Sequence, residues 1–366
     1  MPSTPKIAVV WSRMPGYAQA CLAELAAIIG DGLWCASIGD PPPHAPQEPA
    51  FAGRPATIFS RDGAPRPVAD AILGELTAFK PDVLIATGWS LPAVRLVARE
   101  LRGEGVVTVC MADTPWTGAL RQVVRCLVGR RLLRQCYDVM WVPGARALPL
   151  AQLAGFDPPH VWQGLYTADS ATFAAGTPGR LDSARAESAW PRQFLFVGRL
   201  APEKNVGRLL DGYRRYREDA SEPWPLVCVG DGPERAAAES EPGVECKGWL
   251  EPPEVAELMQ RSGCFILPST YEPWGVVVHE AACAGLPLIA SSTVGATAEL
   301  VRDGHNGCLI DPRDCVDIAR GFRWIASHDS PQTLGERSYE LSLQLSPKIW
   351  ADSLMRRLRN FTASRE

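Results

Sequence analysis

The stretch that most restricts the fold is residues 264–290, where two short apolar runs, Cys264-Phe-Ile-Leu267 and Leu288-Ile-Ala290, enclose a loop and a helix. Unbroken apolar runs of this length have the character of buried strands. The helix between them spans about Gly275 to Ala284 and is stopped by Gly285 and Pro287. A strand-loop-helix-strand unit places its loop at the carboxyl edge of a parallel sheet, where open α/β folds bind ligands.

That loop, Pro268 to Gly275, carries chemistry. A helix starting near Gly275 leaves the main-chain N–H groups of Trp274, Gly275 and Val276 free for an anion such as a phosphate. Gly275 also lets a ligand approach the backbone. Glu280 follows Val276 by four residues and shares its helical face, and Glu272 precedes Glu280 by eight. Carboxylates beside an anion site suit a ligand that also carries hydroxyl donors, and a nucleotide sugar has both parts. The alternative is that the two glutamates only offset a helix dipole on a solvated face.

A chain of 366 residues is long for one core and predicts two domains. Its 46% hydrophobic and 21% charged residues are those of a globular protein, and a net charge of -4 gives no support to nucleic-acid binding. Eleven scattered cysteines without a Cys-x-x-Cys predict reduced thiols in a cytoplasm. The first apolar run, Ile7 to Trp11, is too short for a signal-peptide core, and no window has the length of a membrane span. There is no Asp-x-Asp, and His44, His160, His279, His305 and His328 form no ligand-spaced pair. No bound metal is expected.

In the first half, the strand Lys6 to Trp11, the turn Ser12 to Gly16 and a helix from Tyr17 to Ile29 begin a nucleotide-binding-like domain without the full Gly-x-Gly-x-x-Gly fingerprint. Residues 39–67 are expected as long loops around a short strand, Thr57 to Phe59. A helix at Val68 to Phe79, a strand at Val83 to Thr87, a helix at Ala93 to Arg102 and a strand at Val106 to Met111 follow. This alternation implies a parallel doubly wound sheet. The turns Gly88-Trp-Ser90 and Ala112 to Trp116 fall on the same edge as Gly16. Asp113 is the carboxylate of these turns, a candidate to accept a proton or bind a hydroxyl, and equally a cap or turn residue. From Gly118 to Tyr137, five arginines alternate with Leu and Val. Such a helix suits an anionic membrane surface, or a domain surface with a solvated arginine face. After a strand at Val139 to Val142 the first domain closes near Gly164, so its limits are 1–173, with 174–192 as linker.

The second half opens with the strand Phe194 to Val197 and a turn, Gly198 to Asn205, holding Arg199 and Lys204. Two cations at the carboxyl end of a strand suit a diphosphate, with Arg as fork and Lys as point charge. Solvated surface cations are the other reading. Strands at Leu226 to Val229 and Val244 to Lys247 are followed by Gly230-Asp-Gly-Pro233 and Gly248-Trp249-Leu250, and a last strand spans Asn306 to Asp311. The domain runs 193–345. Ile349, Trp350, Leu354 and Leu358 give residues 346–366 an amphipathic helix.

Gly198-Arg199 through Lys204-Asn205, Val229-Gly-Asp-Gly-Pro233, Tyr271-Glu-Pro-Trp-Gly through Glu280, and Glu299 through Gly307 occur in register. Together they resemble the carboxyl-terminal donor domain of the family-four retaining glycosyltransferases. The first half is similar only in rhythm. The resemblance implies the α/β GT-B fold, with two Rossmann-like doubly wound domains, an interdomain cleft, and a C-terminal helix crossing back onto the first domain. It implies metal-independent transfer of a sugar with retention, from a nucleotide sugar, UDP-linked by preference, to a sugar, lipid-linked or small-molecule acceptor in glycan or glycoconjugate synthesis. Arg199 and Lys204 would neutralise the diphosphate, Glu272 would hold the donor sugar and Glu280 the ribose. The main chain from Gly248 to Leu250 would frame the base, and Gly198, Gly16 and Asp113 would complete the substrate site.

Four departures concern mostly the acceptor half. The turn Ala112 to Pro115 lacks the His of many relatives, the first turn has only Pro15-Gly16, Tyr166 replaces an Asp, and His279 replaces an Asn, where packing or a hydrogen bond is expected. A nucleotide-sugar epimerase and a non-catalytic nucleotide-sugar-binding subunit remain as alternatives. The expected location is cytoplasmic, at the inner membrane face if the 118–137 helix meets lipid.

Overall fold

Five- and four-residue runs such as Ile7–Trp11, Val83–Thr87 and Leu226–Val229 are buried at every position, because helices cover both faces of the sheets they form. The computed structural model of the protein describes residues 4–12, 14–39, 50–51, 54–55, 57–59, 64–87, 89–187 and 189–364. Arg13, His44, Gly88 and the parts of the 39–67 loop that this excludes lie outside the described residues.

The chain divides into two units, residues 1–167 with 347–366, and residues 168–346. In the first, seven parallel strands lie in the spatial order Thr57–Phe59, Leu33–Ile38, Ile7–Trp11, Val83–Thr87, Val107–Met111, Val139–Trp141, Val161–Trp162. In the second, six parallel strands lie in the order Val244–Gly248, Leu226–Val229, Phe194–Val197, Cys264–Leu267, Leu288–Ser291, Gly307–Ile310. Each sheet runs outward from its first strand and then reverses to the other side, which is the doubly wound arrangement with one switch point.

Four features differ from the expectations. The strand Leu33–Ile38 follows the first helix after a single turn, Gly30–Gly32, and Val161–Trp162 adds an edge strand. The unit boundary falls at Thr167/Ala168, and the segment expected as linker forms a helix, Thr177–Glu187. Arg180 fixes that helix to the second unit. Its guanidinium donates to the carbonyls of Ala284 (3.0 Å) and Ser262 (2.7 Å) and lies 4.2 Å from the centre of the Trp190 ring.

The C-terminal helix Pro347–Ala363 belongs to the first unit. Trp350 stacks on Trp141 at 5.0 Å and donates its indole N–H to the Leu165 carbonyl at 2.9 Å. In the second unit, Phe194 is packed by Tyr216, Trp224 and Phe322, with ring centres 4.6–5.5 Å away. Replacing Trp350 by Ala removes both a buried aromatic and a satisfied carbonyl partner, a loss of about 3–5 kcal/mol. Hydrogen exchange of Val139–Trp141 and Val161–Trp162 is expected to accelerate while the second sheet keeps its protection. Equal acceleration in both sheets would contradict the assignment of this helix to the first unit.

Candidate active site

The second sheet reverses direction between Phe194–Val197 and Cys264–Leu267, which pair in parallel. The loops after these two strands carry Arg199, Lys204 and Glu272. The first loop is shaped by close main-chain approach. A side chain at Gly230 would place its Cβ 2.1 Å from the Gly198 carbonyl oxygen, and one at Gly232 would come within 2.3 Å of that of Leu200. With glycine at both places, Gly198 N–H donates to Val229 O (3.0 Å) and Leu200 N–H to Asp231 O (2.9 Å). The Gly-Asp-Gly-Pro turn therefore buttresses the cation-bearing turn.

Asn205 ends that turn in the left-handed conformation, φ 64° and ψ 37°, and is buried. Its side-chain amide donates to the carbonyls of Pro268 (3.0 Å) and Pro312 (2.6 Å), and Thr270 N–H donates to Glu203 O (3.0 Å). These bonds fasten the two loops to each other. Across them Lys204 Nζ forms an ion pair with Glu272 Oε2, the side chains being 17% and 14% exposed. Arg199 is different: its side chain is 72% exposed and pairs with Glu203.

Beyond Glu272 the loop is backed by a second strand-end segment. Gly295 N–H donates to Glu272 O (3.1 Å) and Ala296 N–H to Trp274 O (2.8 Å). Gly275, at φ 87°, caps the helix Val276–Cys283, and a Cβ there would meet the Glu272 and Val294 side chains at 3.0 Å. Trp274 is buried, its indole N–H has no hydrogen-bond partner among the described residues, and what it offers a ligand is main chain. The helix start at Gly275 and Val276 therefore lies directly behind Glu272, the carboxylate of the Lys204–Glu272 pair.

Glu280 sits one turn further on. Burial, with the negative charge of Asp169 second, pushes its pKa from 4.5 up to about 7. Among the described residues no cation pairs with it. Asp169 was not anticipated from the sequence. It caps the short helix Ser170–Phe173, accepting from Thr172 Oγ1 at 2.7 Å, so its only local signal is that of a cap. His279 is fully buried, its Nδ1 accepting from Ala168 N–H at 2.8 Å and its Nε2 lying 3.4 Å from Ser342 O. This assigns the proton to Nε2, and burial lowers the pKa from 6.5 to about 4. A neutral, hydrogen-bonded packing role is what its position predicted. Trp249 is 51% exposed and Leu250 half-buried, after a turn fixed by Gly230 N–H on Gly248 O at 2.7 Å.

Gly16 and Asp113 belong to the first unit. Gly16 is exposed at the start of the helix Gly16–Ile29, with nothing within 4 Å of a Cβ built there. Asp113 is exposed and caps no helix, since the next one is Leu120–Cys136. It accepts instead from the Tyr166 hydroxyl at 3.2 Å, and Tyr166 packs edge-on to Tyr17 at 5.4 Å. Two of the departures in the first half, Asp113 and Tyr166, are therefore in contact.

Residues 182–341 match the family described as glycosyl transferases group 1. That stretch lies wholly within the second unit. Glycogen synthase of Mycobacterium tuberculosis is 31% identical over 163 residues, 43% of this chain and 38% of that protein. The 2-deoxystreptamine N-acetyl-D-glucosaminyltransferase of Niallia circulans is 30% identical over 146 residues, 38% of this chain and 37% of that one. The chain thus spans less than half of the length of these curated relatives. Anabaena Alr3699/HepE, solved in complex with UDP, superposes on 97% of this chain and 100% of its own with a TM-score of 0.76 at 18% identity. Sucrose-phosphate synthase of Thermosynechococcus elongatus does so over 98% and 99%, with a TM-score of 0.74 at 18% identity. The fold is α/β of the GT-B class, built from two Rossmann-like sheets. The matched domain contains every second-half candidate named from the sequence.

Within this domain His279 and Glu280 give stability opposite pH slopes. The folded chain refuses a proton at His279 until about pH 4, whereas the unfolded chain takes one near 6.5, so stability falls as pH drops through that window. The folded chain keeps the Glu280 proton up to about pH 7, and the unfolded one releases it near 4.5, so this contribution is full below 4.5 and is lost as pH rises. Urea titrations should therefore show that Glu280→Gln makes stability climb more steeply with pH between 4.5 and 6.5, and that His279→Asn makes it climb less. Parallel pH profiles for both variants and the wild type would contradict these environments.

Proposed function

We propose that the protein is a retaining glycosyltransferase that moves a sugar from a UDP-sugar to an acceptor hydroxyl, with side-chain cations rather than a metal facing the diphosphate. The observation that carries this reading is the Lys204–Glu272 pair at the switch point of the second sheet, beside the helix start at Gly275. A cation, a helix N-terminus and a carboxylate converge there, and a sugar diphosphate offers the complementary anion and hydroxyls. As the sugar–phosphate bond breaks, charge grows on the leaving diphosphate. Lys204, and Arg199 once it turns from Glu203, stabilise that charge where it develops.

Glu272 accepts hydrogen bonds from hydroxyls of the donor sugar, and Glu280 from those of the ribose. The exposed Trp249 ring and the turn at Gly248 frame the base. UDP is preferred because structurally similar proteins have been solved with UDP and UDP-glucose. The acceptor hydroxyl attacks from the face the diphosphate leaves, so no side chain has to act as nucleophile. Acceptor recognition is assigned to the first unit, where Gly16, Asp113 and Tyr166 lie at the strand-end edge. A lipid-linked or saccharide acceptor in glycoconjugate synthesis fits this reading.

A thermal-shift series with UDP, GDP and ADP, followed by measurement of UDP release from UDP-glucose without acceptor, tests the reading. Stabilisation by UDP and slow UDP release are expected. An epimerised sugar as the product, or no shift with any nucleotide, would overturn it. Lys204→Met should lower turnover on the order of a hundredfold or more. It also leaves Glu272 unpaired, at a cost of about 1–3 kcal/mol. Adding Glu272→Gln should restore that stability without restoring turnover; recovery of both would reduce Lys204 to a structural partner.

Because ribose hydroxyls are donors, they hold Glu280 in its ionised form. UDP affinity is expected to rise as pH passes through about 7 in the wild type and to be level in Glu280→Gln. Calorimetry showing the same pH profile for both would remove Glu280 from the nucleotide site.

A further inference from the structure

The helix Leu120–Cys136 is apolar on two opposite faces. One face, with Cys126, Leu133 and Cys136, is buried in the first unit. The other carries Leu120, Val124, Leu127 and Val128 at spacings of four, three and one, and these are 78%, 53%, 56% and 78% exposed. At 3.6 residues per turn they form one strip along the helix. With Leu132 they make five of the twelve large apolar side chains exposed among the described residues. A helix needs one apolar face to join its own core, so the second is not explained by the fold.

The same spacing sets Arg121 and Arg125 along one border of the strip and Arg130 and Arg134 along the other, with Arg131 closing its C-terminal end. Between Asp113 and Asp138 the sequence has no Asp or Glu at all. None of the five arginines has a carboxylate partner among the described residues, whereas Arg66, Arg102, Arg192, Arg214 and others elsewhere are paired. Arg134 lies over the Phe156 ring at 5.3 Å, its stem spread along the domain. A positive face of this kind on a chain of net charge -4 calls for an anionic partner. Beside the strip a cavity of about 380 Å³ is lined by Trp89, Arg95, Val124, Arg125, Val128 and Leu132. Its walls are mostly apolar, with two guanidinium groups among them.

We propose that this face docks the protein on an anionic phospholipid bilayer, the Leu/Val strip entering the headgroup–acyl boundary, the flanking arginines meeting lipid phosphates, and the cavity beside it accepting part of a lipid molecule. A nucleic acid would satisfy the arginines and leave the strip against a polar backbone; a bilayer interface satisfies both at once. The inference is independent of the donor chemistry, and its test contains no nucleotide.

The test is co-sedimentation of the full chain with vesicles of phosphatidylcholine alone and of phosphatidylcholine mixed with phosphatidylglycerol. Binding only to the mixed vesicles, weakening as salt rises, is expected. Arg121→Ser with Arg125→Ser, and separately Leu127→Ser with Val128→Ser, should each lower the partition coefficient about tenfold or more. Circular dichroism should be unchanged, since the altered side chains face solvent. Equal binding to both vesicles, or variants that bind as the wild type does, would overturn the proposal. So would binding to soluble poly-glutamate with vesicles left unbound, which would give the face to an acidic macromolecule.

Discussion

In the second unit the site loops depend on a small set of fastenings, chief among them the buried Asn205 side-chain amide held between the carbonyls of Pro268 and Pro312, with Thr270 N–H on Glu203 O beside it. Two loops from different strands, each rich in groups a ligand could use, would otherwise be free to separate. A buried amide that lost either carbonyl would leave polar groups unsatisfied away from water, so the arrangement is effectively all-or-none. Gly230 and Gly232 act from behind by letting one main chain lie against another. The positions of Lys204 and Glu272 follow from this backbone geometry, and their ion pair is its product.

The sheet edge could be read from the sequence because its information is local. Strands buried on both faces are continuous apolar runs, and the turns that follow them carry glycine and charge, so Arg199, Lys204, Glu272, Gly275 and Glu280 could be named from position alone. What could not be read depends on partners distant in the chain. The helix Thr177–Glu187 has the composition of a linker, and only the carbonyls of Ser262 and Ala284, waiting for Arg180, make it part of the domain. Asp169 looks like a helix cap, which it is, and its effect on Glu280 exists only in three dimensions. Leu33–Ile38 is different: the turn Gly30-Asp-Gly32 and the apolar run after it are local signals, so this strand was legible in the sequence and was overlooked.

Neighbouring residues on one helix show how burial acts on unlike groups. His279 and Glu280 are adjacent, and desolvation drives both toward neutrality, which lowers the one and raises the other. His279 has its uncharged form secured by a main-chain donor and is finished as a structural element. Glu280 has no cation to stabilise its charge, and so it keeps a proton that a suitable set of hydroxyls could displace. The same physical cause thus produces a settled residue and a responsive one side by side.

The return of Pro347–Ala363 to the first unit, anchored by Trp350 against Trp141 and Leu165, has a consequence for biosynthesis. Residues 168–346 are contiguous and can close as soon as they leave the ribosome, whereas the module begun earlier must wait for its final helix. The half translated first is therefore the half completed last, and until then an emerging chain presents the Trp141 surface to whatever chaperone meets it.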